Sequence, residues 1–189
     1  MKQEFYDALM ENPIVAAVKD MEGLRKCLKI EDIKVVFILF GDICSIGRIV
    51  EEAKMAGKQV LVHLDLVGGI GTKEVVVDYI RENTKADGII TTRSSHVRRA
   101  RELGLCTVLR FFVIDSMAFE NIAKQVRQVQ PDMMEILPGV MPKIIRKLVK
   151  SEKIPVIAGG LVMDREDVMG ALDAGAVCVS TTNQDVWRM

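Results

Sequence analysis

Short, almost wholly apolar runs alternate with amphipathic segments from one end of this chain to the other. The runs fall at residues 14–18, 35–40, 59–64, 88–91, 107–113, 133–137, 155–158 and 176–179. Strands that are apolar on both faces must be covered on both, which calls for a parallel sheet flanked by helices. Between the runs, sets such as Ile46, Ile49, Val50 and Ala53, or Ile144, Ile145 and Leu148, recur at helical spacing. About eight strands with about seven intervening helices fit a closed barrel better than an open doubly wound sheet. The predicted class is α/β: a small TIM-type (βα)8 barrel, with residues 1–189 forming a single domain. At 189 residues the chain lies slightly below the ~200-residue floor usual for this architecture, yet it is long enough to bury one large core.

The count leaves a gap. After Asn183 only residues 184–189 remain, so the last helix is expected to be shortened or missing. An uncovered apolar wall invites association. Trp187, an N-terminal helix over residues 1–12 carrying Phe5 and Leu9, or a second subunit in a homo-oligomer would each cover it.

Residues 154–183 carry the strongest local signal. An apolar run ends at Gly159 and Gly160, an acid-capped amphipathic segment follows, and a second apolar run breaks into Ser180, Thr181 and Thr182. Neighbouring parallel strands that end in small, hydroxyl-bearing residues present backbone N–H groups suited to a phosphate. The last two loops of a (βα)8 barrel are a recurrent phosphate site. The same residues also serve as plain turns and caps.

Four charged residues interrupt or end predicted strands: Lys19, Asp65, Arg110 and Glu135. The C-terminal ends of barrel strands are where ligands bind. Arg110 is placed to clamp a phosphate or carboxylate, and Asp65 and Glu135 to accept hydrogen bonds from substrate hydroxyls. An internal Arg–carboxylate network that only fixes register is the alternative. A small, hydroxylated, phosphorylated ligand satisfies all four positions. His63 and Asp65 share a face, but no third residue has metal-ligand spacing, so no metal is expected. The Gly68-Gly69-Ile70-Gly71 loop lacks the dinucleotide spacing, and no cofactor is called for.

Charge narrows the partners. The 26 basic and 26 acidic residues cancel, and aromatic residues make up 5%, so nothing global advertises nucleic acid or an anionic membrane. Two local runs depart from neutrality. Residues 91–110 contain Arg93, Arg98, Arg99, Arg101 and Arg110 against Glu102, and residues 143–153 contain Lys143, Arg146, Lys147, Lys150 and Lys153 against Glu152. Solvated helix faces explain both by default. His96, in the first run, is read as solvent-facing. No apolar stretch has signal-peptide or membrane-span length. Cys27, Cys44, Cys106 and Cys178 show no C-x-x-C spacing and are expected as buried, reduced thiols of a cytoplasmic protein.

The strings VHLDLVGGIG (62–71), GIITTRSSHVRRARELG (88–104), LRFFVIDS (109–116), EILPGVMP (135–142), VIAGGL (156–161) and STTNQDVW (180–187) resemble the glycerol-3-phosphate-responsive antiterminators of bacteria. The resemblance spans residues 12–187 and implies a regulator, not an enzyme. It implies a protein that binds glycerol 3-phosphate and then leader mRNA of glycerol-utilisation operons, preventing premature termination. Gly159, Gly160 and Ser180 to Thr182 then fall at the phosphate, and Asp65, Arg110 and Glu135 at the glycerol moiety. Arg93, Arg98, Arg99 and Arg101 are the first candidates for RNA, although no RRM or KH signature is present. A barrel enzyme acting on a triose or glycerol phosphate is the rival reading, with Lys19, Asp65 and Glu135 as its acid/base groups.

Overall fold

The computed structural model describes residues 3–189; Met1 and Lys2, the start of the expected first helix, lie outside the described residues. Eight parallel strands close into a barrel in sequence order. They are β1 (Ile14–Val18), β2 (Val35–Ile38), β3 (Gln59–His63), β4 (Gly88–Thr91), β5 (Cys106–Phe112), β6 (Met133–Leu137), β7 (Val156–Gly159) and β8 (Cys178–Thr181). Helix α1 (Gln3–Glu11) precedes β1. The connections carry α2 (Met21–Cys27), α3 (Ile46–Met55), α4 (Val75–Asn83), α5 (Ser94–Glu102), α6 (Ser116–Val129), α7 (Pro142–Ser151) and α8 (Arg165–Asp173). The chain is a TIM-type barrel.

Strand alternation sorts the apolar residues into two cores. Ala16, Val36, Val62, Ile89, Leu109, Ile136 and Val179 face outward under the helices. Val15, Phe37, Leu61, Ile90, Val108, Ile157 and Cys178 fill the interior. Phe5 and Leu9, four residues apart on α1, are fully buried against this second set. Helix α1 therefore closes the N-terminal end of the barrel and does not cover its wall.

After β8, where the barrel repeat would place a helix, stands a single 3-10 turn, Val186–Arg188. Trp187 covers the wall there: it is 2% exposed, packs in the outer core, and donates from Nε1 to the Thr181 carbonyl at 2.8 Å. One large side chain substitutes for a helix.

Element edges differ from expectation where they bear on the site. Strand β8 starts two residues later than residues 176–179 suggested, so Ser180 and Thr181 belong to the barrel itself. Helix α4 begins at Val75 after Glu74, and Thr72 does not cap it. The Thr72 carbonyl instead meets Nε2 of His96 at 3.1 Å. His96 is only 1% exposed, contrary to its reading as solvent-facing, because its ring also lies 3.4 Å from the Thr91 hydroxyl beneath α5. Cys27, Cys106 and Cys178 are buried, but Cys44 is exposed. The Asp42 carboxylate accepts the Cys44 and Ser45 N–H groups at 2.9 and 2.8 Å, and this turn holds Cys44 out of the core.

Trp187→Ala should lower stability by about 3–5 kcal/mol, as for other buried large-to-small changes. For a chain of this size that corresponds to a fall in Tm of roughly 6–20 °C. Thermal unfolding followed by circular dichroism measures it, and a Tm within a degree or two of the parent would mean that the wall needs no cover.

Candidate functional site

The C-terminal mouth of the barrel holds a cavity of about 280 Å³. Arg110, Glu135 and Ser180 form its polar floor, and Gly160 to Met163 together with Thr181 and Thr182 form one side. No helix in the described residues is long and apolar enough to cross a membrane, and no group of three or more His, Cys, Asp or Glu among them is placed to hold a metal ion.

The floor is built by register. Arg110 and Glu135 are directly paired across β5 and β6, and both point inward. Arg110 Nε donates to Glu135 Oε2 at 2.6 Å, and the Ser180 hydroxyl donates to Oε1 at 2.5 Å. Glu135 is fully buried and Arg110 is 9% exposed. Gly159 makes this arrangement possible: a Cβ there would sit 2.5 Å from Glu135 Oε1 and 2.7 Å from the Ser180 hydroxyl. With both carboxylate oxygens engaged, Glu135 orients the guanidinium. The terminal nitrogens of Arg110 make no hydrogen bond among the described residues, and the side chain lines the cavity. A cation is thus held at the base of an open pocket, aimed by a carboxylate.

The loop after β7 bends sharply, with Gly160 at φ +74° and Leu161 at φ 61°. Left-handed backbone is natural for glycine and uncommon for leucine. Gly139 N–H donates to the Gly160 carbonyl at 2.9 Å, tying this loop to the turn after β6. The N-terminus of α8 offers nothing to an anion. Asp164 accepts the Asp167 N–H at 3.0 Å, and Asp167 accepts the Met163 N–H at 2.9 Å.

Not every predicted residue enters the cavity. Thr181 lines it, but its hydroxyl is consumed by the turn, donating to the Val162 carbonyl at 2.8 Å and accepting from Asn183 N–H at 3.0 Å. Thr182 is exposed at the rim. Lys19 is exposed beyond β1 and outside the lining. Asp65 lies past the end of β3 in the 3-10 turn Leu64–Leu66, where it stitches the loop after β4. It accepts the Thr92 N–H at 2.7 Å and the Thr91 and Thr92 hydroxyls, and pairs with Arg93 Nε at 3.3 Å. Burial alone would raise the Asp65 carboxyl; the Thr92 N–H, His63 and the hydroxyls outweigh it and hold it below the usual carboxylate range.

The four candidate RNA arginines are mostly spoken for within the fold. Arg93 stands at the start of α5 and pairs with Asp65. Arg99 pairs with Asp78 of α4 and, at 2.8 Å, with Glu102. Arg101 donates to the Val129 carbonyl at 2.9 Å. Arg98 alone is exposed without such a tie among the described residues.

His63 is the residue whose importance the spacing concealed. It follows Leu61 on the inward face of β3, is 3% exposed, and its Nδ1 has no hydrogen-bond partner. Asp65 Oδ2 is 4.0 Å away. Burial first, and then Arg110, push its pKa down from 6.5 to about 4, against the opposing pull of Asp65. The native imidazole is neutral at pH 7.

A histidine held neutral in the native state but free to protonate when unfolded lowers stability as pH falls from 6.5, levelling near pH 4. His63→Gln removes that dependence. The stability of the parent minus that of the variant, from urea unfolding, should fall by about 2 kcal/mol between pH 7 and pH 4.5. A constant difference would show that His63 protonates in the native state as readily as in the unfolded chain.

Comparison with known proteins identifies the scaffold. Residues 14–187 match the family described as "Glycerol-3-phosphate responsive antiterminator". The uncharacterized protein YgcP of Escherichia coli (strain K12) is 45% identical over 181 residues, covering 96% of this chain and 94% of that protein. The crystal structure of the glycerol uptake operon antiterminator regulatory protein from Listeria monocytogenes superposes with a TM-score of 0.91 at 32% identity, covering 94% of this chain and 95% of the other. That of a glycerol uptake operon antiterminator-related protein from Thermotoga maritima gives 0.81 at 35%, covering 93% and 98%. This chain belongs to the glycerol-3-phosphate responsive antiterminator family.

Proposed function

We propose that this protein senses glycerol 3-phosphate at the barrel mouth and, when loaded, binds leader mRNA of glycerol-utilisation operons in the cytoplasm to prevent premature termination. The observation that carries the ligand reading is Arg110: its terminal nitrogens have no hydrogen-bond partner among the described residues and the side chain lines an open cavity, while Glu135 fixes its orientation. A guanidinium so held presents a planar fork to a phosphate. The loops at Gly160 and Thr182 supply the sides of the seat, and the small cavity suits a three-carbon phosphate. Asp65 acts indirectly by fixing Thr91, Thr92 and Arg93, and Lys19 stays outside the cavity lining.

Binding without turnover is the better reading of this floor. Glu135 has both oxygens committed to Arg110 and Ser180, which leaves it poorly placed to exchange protons with a ligand. An assay following glycerol 3-phosphate by phosphorus NMR with the protein present should show no product.

Two measurements test the proposal. Calorimetric titration with glycerol 3-phosphate should show saturable binding, and Thr182→Asp, which adds a negative charge at an exposed rim position, should weaken it at least ~10-fold. Unchanged affinity would remove the phosphate from this seat. Binding of a labelled glycerol-operon leader transcript should tighten ~5- to 150-fold with saturating glycerol 3-phosphate. By linkage, the transcript must tighten glycerol 3-phosphate by the same factor. Equal RNA affinity with and without the ligand would leave no switch.

A further inference from the structure

We infer that single-stranded RNA is bound along the groove between α6 and α7, and not along the arginine-rich α5. The inference rests on the RNA reading above and names the surface that reading needs. Residue charge alone favours α5, but the fold pairs Arg93 with Asp65 and Arg99 with Asp78 and Glu102, and ties Arg101 to the Val129 carbonyl, leaving Arg98 as its one untied arginine among the described residues. Helix α7 is the reverse case. Lys143, Arg146, Lys147, Lys150 and Lys153 are all exposed, and none makes an ion pair among the described residues. The one acid in this run, Glu152, is buried. Lys143, Lys147 and Lys150 stand at i, i+4 and i+7, so they form one stripe opposite the buried Ile145 and Leu148. Such a stripe tracks a phosphate backbone.

The apolar half of the requirement lies beside it. A groove of about 380 Å³ runs between the helices, lined by apolar Val113, Ile114, Phe119, Met141 and Ile144 together with Lys147 and the acids Asp115 and Glu120. Asp115 is occupied, since its carboxylate accepts the Ala118 N–H at 2.7 Å. At the end of β5, on the mouth side it shares with Arg110, Phe112 is 54% exposed, and in the segment that follows it Ile114 and Met117 are 83% and 71% exposed. Exposed aromatic and apolar side chains flanked by unpaired cations are what a single strand needs: bases stack while phosphates meet lysines. The pairing of this basic stripe with a polyanion fixes the occupant by charge complementarity.

The groove is also wired to the ligand cavity. Phe112 pairs in register with Leu137, which lines the cavity, and Val113 N–H donates to the Leu137 carbonyl at 2.8 Å. The strands that carry Arg110 and Glu135 run directly into the two loops that line the groove. A ligand that shifts Arg110 or Leu137 therefore acts on Phe112 and Met141 through one strand pair.

The test uses the full chain, saturating glycerol 3-phosphate and a fluorescein-labelled 20-nucleotide oligouridylate titrated over a range of salt. Lys143→Gln, Lys147→Gln and Lys150→Gln together should reduce the slope of log affinity against log salt by about 2, at ~0.7 per lost contact. Arg98→Gln, Arg99→Gln and Arg101→Gln together should change it by less than ~0.7. Phe112→Ala should weaken binding ~5- to 150-fold with no change in slope. The reverse ranking of the two triple variants overturns the surface assignment while leaving the RNA function intact. No RNA binding by the parent overturns both. An unchanged slope, with Ile114→Ser and Met117→Ser converting a dimer to a monomer in sedimentation, would assign the groove to a second copy and overturn the inference.

Discussion

An arginine and a glutamate side by side inside a barrel are the constraint on which the mouth depends. Removing two charges from water is costly, and the cost is offset only where geometry is good and remaining polar atoms are satisfied. Here adjacent strands supply the geometry, because Arg110 and Glu135 are register partners, and Ser180 supplies the further hydrogen bond to the carboxylate. Gly159 completes the set by having no side chain where the carboxylate lies. A one-residue slip of β6 against β5 would turn Glu135 toward the helices and strand Arg110 in the interior. The pair thus ties strand register, loop conformation and ligand chemistry into one requirement.

Much of this was legible from the order of the residues, for identifiable reasons. Eight apolar runs separated by helical patterns leave a closed parallel barrel as the economical solution. Arg110 and Glu135 declared themselves by interrupting apolar strands, where a charge must have a purpose. Lys19 and Asp65 sent a weaker signal because they follow their strands instead of interrupting them. A residue one or two places past a strand end is free of the alternation that fixes direction. The two then diverge, Lys19 to solvent and Asp65 to a loop 27 residues further along the chain.

What could not be read was anything settled by a partner distant in sequence. The arginines of α5 look like a free basic surface until α4 brings Asp78 against Arg99, 21 residues away. His96 sits among arginines in sequence, yet Val97 and Ala100 share its buried side of the helix, and its ring partners come from Thr72 and Thr91. The Arg110 cluster differs only in degree: its members were visible singly, while the Ser180 contact, 45 residues from Glu135, required the barrel to close. Local charge counts describe a segment. The field around it belongs to the assembled fold.

Helix α1 gives the interior a property that the mouth alone does not. With Phe5 and Leu9 seated against the inner core, α1 plugs the N-terminal end of the barrel, opposite the cavity at the C-terminal mouth. Between that plug and Arg110 the interior is filled by side chains, so the mouth is a seat over a packed core and not the end of a channel.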